Sequence, residues 1–263
     1  MGSAAWQQVW PHWTWFALVT AVLLTAGYLV VVGPLRRRFP RSAPVSLGVR
    51  AAFVAGMAVY ALAFASPIDY VGDTYLFSVH MIQHMLEVSV MTPLLIIGIP
   101  DWLMQWALSW RPWERVMMAG THPVAALVGF DAVFDGFHFP LLYDLTLTND
   151  TFHVVEHVLF FIGAWFVWWR ILSRIPQIPR LTPGWRLLYL FFAFDGMMPP
   201  AILIFMWNRP LYWPYVHAAR IFGIGPVADQ RLGALIMLMF MVVSYGAAAV
   251  KAFIEYDMAG WYE

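Results

Sequence analysis

Long apolar stretches separated by short polar segments recur along the chain. A helix needs about 20 mostly apolar residues to cross a bilayer, and the intervening segments are rich in Pro, Gly and charge. The fourth stretch is the weakest, because two aspartates and a histidine interrupt it. The pattern predicts an all-α, polytopic membrane helix bundle in which residues 1–263 form a single seven-helix transmembrane domain. The predicted spans are roughly 13–33, 47–66, 76–98, 121–138, 152–172, 186–207 and 231–251.

The positive charges of the polar segments predict the orientation of the bundle. The 34–50 segment carries five arginines, and seven more positive residues lie at 111–115, at 170–186 and at Lys251. The opposite side holds only Arg209, Arg220 and Arg231. Short segments rich in Lys and Arg stay in the cytoplasm. We therefore expect the N-terminus outside and the C-terminus in the cytoplasm.

Composition narrows the function classes further. The chain is 62% hydrophobic and 11% charged, with a mean hydropathy of +0.68, whereas an ordinary soluble domain carries about 25% charge. Fifteen Lys plus Arg balance fifteen Asp plus Glu, so no basic surface for nucleic acid is expected. The absence of cysteine excludes disulfides and thiolate metal sites. Any metal must be held by nitrogen, oxygen or thioether sulfur.

Polar side chains inside the predicted spans form stripes rather than a scatter. Ionisable groups within a membrane are costly and are functional candidates by default. In span three they recur at i, i+3, i+4 and i+7, which places them on one helix face, and Met91 continues that face. In span five the spacing is i, i+3 and i+4, and in span four it is i, i+4 and i+7. The stripes are His80, Gln83, His84 and Glu87; His153, Glu156 and His157; and Asp131, Asp135 and His138.

The three stripes should meet at one depth. Spans three and five enter from the outside and span four leaves toward it, so we expect convergence in the outer half of the membrane. Neutral imidazole is the commonest protein metal ligand, and a donor set without thiolate suits copper best and zinc next. The predicted ligands are His80, His84, His153 and His157. Candidates for outer-shell partners or additional ligands are Glu87, Glu156, Asp131, Asp135, His138, Gln83, Met81 and Met198.

A helix break is predicted within span six. Pro199 and Pro200 follow Met197 and Met198 near the middle of the span. Proline has no N–H for the helix ladder, so a kink or an unwound turn is expected there.

Several runs in the sequence resemble one protein family. They are HMIQHMLE and MTPLLIIGIP within 80–100, HFPLLYDLTLTNDTFHVVEHVLFFIGAWFVWW at 138–169, the MPP of span six, and DQRLGALIM at 229–237. The chain thereby resembles the CtaG family of cytochrome c oxidase assembly factors, in the multi-span form linked to caa-type oxidases. The resemblance implies a non-enzymatic protein of the bacterial cytoplasmic membrane that handles copper, Cu(I) or Cu(II), for a haem–copper oxidase. Expected partners are an oxidase subunit, the lipid bilayer, a copper donor on the outer side and a second copy of the chain.

Three other functions use the same residues. The H-x-x-E-H run at 153–157 is also an inverted zincin pattern, with two zinc ligands and Glu156 as general base of a hydrolase. A single haem between a histidine of span three and one of span five is a second alternative. A copper transporter is the third, since binding for delivery and binding for permeation look alike in sequence.

Proton competition gives a first test of histidine ligation. Imidazoles, with an ordinary pKa of about 6.5, must be neutral to bind a metal. We expect copper affinity, measured by equilibrium competition with a chelator, to weaken below about pH 6. An affinity that is flat between about pH 5 and pH 7.5 would argue against histidine ligands.

Overall fold

The computed structural model describes residues 7–260, and this part of the chain is helical, without a β-strand. The helix that ends at Leu86 continues through a π-helical turn, Glu87–Met91, directly into the helix that begins at Thr92. The helices are α1 (Trp15–Val32), α2 (Leu47–Phe64), α3 (Pro67–Thr74), α4 (Phe77–Leu86), α5 (Thr92–Gly98), α6 (Asp101–Leu108), α7 (Arg111–Gly120), α8 (Pro123–His138), α9 (Pro140–Thr148), α10 (Asp150–Leu172), α11 (Pro183–Gly196), α12 (Met198–Met206), α13 (Trp213–His217) and α14 (Pro226–Gly260).

The chain is a multi-pass membrane protein. Six helical segments of the described chain are long and apolar enough to cross a bilayer: α1, α2, α4 with α5, α10, α11 with α12, and α14. A seventh is reached when α7 and α8, bent by 76° at their junction, are counted as one span. The all-α bundle is thus confirmed. The weak fourth stretch is the continuous helix α8, whose 16 residues count as a span only together with α7. The orientation of the termini stays a prediction.

Span six is interrupted where the proline pair predicted a break. Helix α11 ends at Gly196 and α12 begins at Met198, with the prolines in its first turn. Proline is tolerated at the start of a helix because the N–H groups there have no partner within the helix.

The π-helical turn in span three follows from Pro93. The backbone N–H of Thr92 donates to the carbonyl of Glu87, five residues earlier. Pro93 has no N–H to offer Val88 in the same pattern, and Trp168 Nε1 of α10 donates to the Val88 carbonyl instead, at 2.8 Å. The turn therefore ties span three to span five.

The wider turn also changes the helix face beyond Glu87. Met91 packs with Ala21, Met57 and Leu95 in an apolar cluster near α1 and α2. A π turn takes more residues than an α turn and rotates the side chains that follow it. The continuation of the histidine face by Met91 stays a prediction.

Helix α14 holds the start of α4 through the DQR run. Asp229, which is 1% exposed, accepts hydrogen bonds from the backbone N–H groups of Phe77 at 2.7 Å and Ser78 at 3.1 Å. Position 76, which precedes the helix, offers no capping side chain of its own. At Gly233, a Cβ would collide with the Phe77 ring, so glycine allows the two helices to approach closely.

Removing the distant cap should destabilise the bundle. We expect Asp229→Ala to cost about 1–3 kcal/mol, because it leaves two buried backbone donors without a partner, and Asp229→Asn to cost less. The measurement is thermal unfolding of the detergent-purified protein, with Glu114→Ala as a control on a partly exposed acidic residue. An unchanged transition in Asp229→Ala would contradict the capping role.

Candidate metal site

Helices α4 and α10 bring the four predicted ligand histidines together. The ring centroids of His80 and His84 lie 4.3 Å apart, and those of His153 and His157 lie 4.6 Å apart. Between the helices, His80 is 5.4 Å from His153 and His84 is 5.0 Å from His157. The two i, i+4 pairs therefore face each other, as their spacing predicted.

The four histidines divide into two groups rather than forming one. In the first group, His80, His84, Glu156 and His157 each offer a ligand atom, and these atoms all lie within 4.8 Å of one another. The side chains of His80, His84 and Glu156 are 0% exposed, and that of His157 is 12% exposed. We call these four residues the inner group.

The inner group contains several polar atoms without a hydrogen-bond partner. They are Nε2 of His80, both ring nitrogens of His84 and both carboxyl oxygens of Glu156. Leaving a buried polar group unpaired costs about 1–3 kcal/mol, and most such groups in native proteins are paired. Five of them in one place form a donor set of imidazole nitrogen and carboxylate oxygen, which fits a copper or zinc ion.

Glu87 orients one histidine of the inner group. Its Oε2 accepts a hydrogen bond from His157 Nδ1 at 2.7 Å. His157 Nε2 is thereby directed toward His153 Nε2, 2.9 Å away. A carboxylate behind an imidazole fixes its tautomer and ring orientation in metal sites, which is the role that the sequence offered for Glu87.

His138 is the member of the span-four stripe that reaches the site. Its Nδ1 donates to the carbonyl of Phe134 at 2.6 Å, while its Nε2 is buried without a partner. The ring lies 5.9 Å from that of His84. His138 therefore extends the imidazole cluster on the side of α8.

Asp73 joins the histidines, although the sequence analysis did not single it out. Its Oδ1 lies 3.1 Å from His80 Nδ1 and its Oδ2 lies 3.4 Å from His153 Nδ1. Asp73, His80 and His153 form a second set whose ligand atoms lie within 4.8 Å of one another, and we call it the outer group. Burial raises the pKa of Asp73. The sequence contains a signal for this residue, because Asp69 and Asp73 are spaced i, i+4 and would share one face of a helix. In the sequence analysis, their segment is only a connection between two spans.

Glycine lets α3 place Asp73 against α4. A Cβ on Gly72 would lie 3.0 Å from the backbone nitrogen of His80, which is closer than side chains normally approach. The carbonyl of Gly72 accepts a hydrogen bond from Tyr215 Oη at 2.7 Å. The short helix is thereby held over the histidines.

Gln83 points to α3 rather than to the histidines. Its Nε2 donates to Asp69 Oδ1 at 2.6 Å, and Asp69 Oδ2 accepts a hydrogen bond from Thr14 Oγ1 at 3.3 Å. Burial and the neighbouring Asp73 carboxylate raise the pKa of Asp69 to about 6. Gln83 thus serves to attach α3 to α4.

The structure places four other candidates outside both groups. Asp131 packs where α11 breaks, since a Cβ on Gly196 would collide with its carboxylate. Asp135 has a buried carboxyl oxygen without a partner but belongs to neither group. Met81 packs beside Gly233 of α14, and Met198 packs on the apolar core. The predicted convergence thus includes spans three and five, and only His138 of span four.

Comparison with known proteins gives the family. Residues 26–256 match the family described as cytochrome c oxidase caa3 assembly factor (Caa3_CtaG). The uncharacterized proteins Mb0105 of Mycobacterium bovis and MT0111 of Mycobacterium tuberculosis are each 28% identical over 248 residues, covering 84% of this chain. This chain spans only 36% of the length of those relatives. No solved structure matches it significantly. Because the family match includes nearly all of the bundle and both histidine pairs, the chain belongs to the cytochrome c oxidase caa3 assembly factor family.

Proposed function

We propose that this protein is a copper-binding assembly factor of the bacterial cytoplasmic membrane, which helps to deliver or insert copper into a haem–copper cytochrome oxidase. The observation that carries the proposal is the inner group, where three imidazoles and a carboxylate converge with five unpartnered polar atoms. Membership in the cytochrome c oxidase caa3 assembly factor family supports an oxidase as the destination. Copper is the cargo of the proposed activity.

The donor set suits an ion that is held and then released. Imidazole nitrogen and carboxylate oxygen bind copper and zinc, and membership in an oxidase assembly family favours copper between the two. Glu156 would offset the charge of the ion, Glu87 would keep His157 in one tautomer, and burial would exclude water. The bound ion would make up for the cost of burying these groups without partners.

The position of the site suits transfer to a membrane partner. The histidines lie in the first turns of α10 and in the half of span three that precedes the π turn. The predicted orientation puts these ends at the outer side of the membrane. A copper donor outside the cell and an oxidase subunit within the bilayer are the partners that this position favours.

Loss of the α4 histidines should remove bound copper. We expect near-stoichiometric copper in the purified wild type and less than about a tenth of it in His80→Ala/His84→Ala, because losing a residue that only supports a ligand already costs about 10–100-fold in affinity and this variant loses two ligands. Elemental analysis with an optical spectrum is the measurement. His122→Ala, in the α7–α8 junction, is the matched control and should keep its copper.

The same samples test the alternatives. Copper retained in the double variant would refute the assignment of the inner group. Zinc in place of copper would support the hydrolase hypothesis, which further requires peptide cleavage that Glu156→Gln abolishes. A Soret band would support the haem hypothesis.

The assembly role is tested in cells. In a strain that lacks the native gene but carries a caa3-type oxidase, the wild type should restore oxidase activity and the copper content of the purified oxidase. The double variant should restore neither, although it reaches the membrane in equal amount on an immunoblot, and His122→Ala should restore both. Full copper content of the oxidase with the double variant would contradict delivery by this site.

A further inference from the structure

His80 belongs to both metal-ligand groups. Its Nδ1 lies 3.1 Å from Asp73 Oδ1 in the outer group, while its Nε2 is buried and without a partner. Its ring lies 4.3 Å from that of His84 in the inner group. One imidazole thus belongs to both groups, with one ring nitrogen beside Asp73 and the other without a hydrogen-bond partner.

The two groups differ in their access to solvent. The side chain of Asp73 is 30% exposed and that of His153 is 17% exposed, whereas in the inner group His157 is 12% exposed and His84 and Glu156 are 0% exposed. Asp73, the most exposed ligand and a carboxylate, is therefore the one that an ion arriving from outside the bundle meets first.

We propose that the protein holds copper at two successive positions, an outer one formed by Asp73, His80 and His153 and an inner one formed by His80, His84, Glu156 and His157. Asp73 captures the ion, and His80 passes it inward. This inference rests on the proposed copper function and adds the entry route and its carboxylate.

The chemistry of the two groups suits such a transfer. Each group contains one carboxylate, Asp73 or Glu156, so the ion has a negatively charged partner before and after it moves. The facing Nε2 atoms of His153 and His157, 2.9 Å apart, join the groups at a second point. The step is ligand exchange, in which one set of metal–ligand bonds replaces another without a change in oxidation state.

The position of α3 is what makes Asp73 available. Close packing at Gly72 and the hydrogen bond between Gln83 and Asp69 hold the helix against α4. Asp69 lies one turn before Asp73 on the same helix and belongs to neither group. Asp69→Asn removes the charge but keeps a side-chain oxygen that can accept the hydrogen bond from Gln83, so it is a matched control for the outer position.

The test is anaerobic loading of the purified full chain with Cu(I), supplied as its bicinchoninate complex. Loading is measured as the decrease in the visible absorbance of that complex while the protein takes the copper. We expect the wild type to bind one copper, because a neutral imidazole has one nitrogen free for a metal and His80, shared by the two positions, can therefore ligate only one ion at a time. Asp73→Ala should bind one, with loading slowed about tenfold or more, in the range seen when metal-site partners are lost. His84→Ala should bind one and load rapidly. Asp69→Asn should match the wild type, and Asp73→Glu should restore much of the loading rate.

Two results would overturn the proposal, and they differ in meaning. If the wild type binds one copper and Asp73→Ala loads it at the wild-type rate, the outer position is refuted while the copper function stands. If the wild type binds no copper, the proposed function fails and the transfer route fails with it. Circular dichroism and thermal unfolding check that each variant is folded, and Asp73→Asn replaces Asp73→Ala if the latter is not.

Discussion

Burying ionisable groups in a membrane bundle is the constraint on which this structure depends. A buried polar group without a partner is costly, and a buried charge more so. The bundle nevertheless encloses His80, His84, Glu87 and Glu156 almost completely. Some of the cost is offset by local pairing, as between His157 and Glu87. At His84 and Glu156, whose Nε2 and Oε2 lie 3.9 Å apart, the buried ring nitrogens and carboxyl oxygens have no hydrogen-bond partner among the described residues, and this imbalance is the physical reason to place a cation there.

Polar contacts from distant parts of the chain hold the backbone on which these groups stand. Asp229 caps the start of α4, Trp168 takes the carbonyl that the π turn leaves free, and Tyr215 holds α3 through Gly72. Each contact comes from a different helix and ends on the backbone beside the histidines. A binding site needs its side chains positioned to within a fraction of an ångström, and rigid backbone attachment at several points provides that.

The same arrangement gives the site a direction. A partly exposed carboxylate on the short helix α3 leads through a shared imidazole to a fully buried carboxylate on α10. Such a gradient of exposure suits an ion that is captured at the surface and then shielded from water.

The sequence by itself determined the helices and their faces. Apolar length predicts a span, and the period of 3.6 residues puts His80 beside His84 and His153 beside His157. Tertiary structure decided which side chains of other helices contact those faces. It brought Asp73 in from a short helix, directed Gln83 to Asp69, packed Met91 against Ala21 and Met57, and left Asp131 beside Gly196. Periodicity is a local property of one helix, whereas these contacts depend on how closely separate helices approach, which glycine, proline and distant caps control.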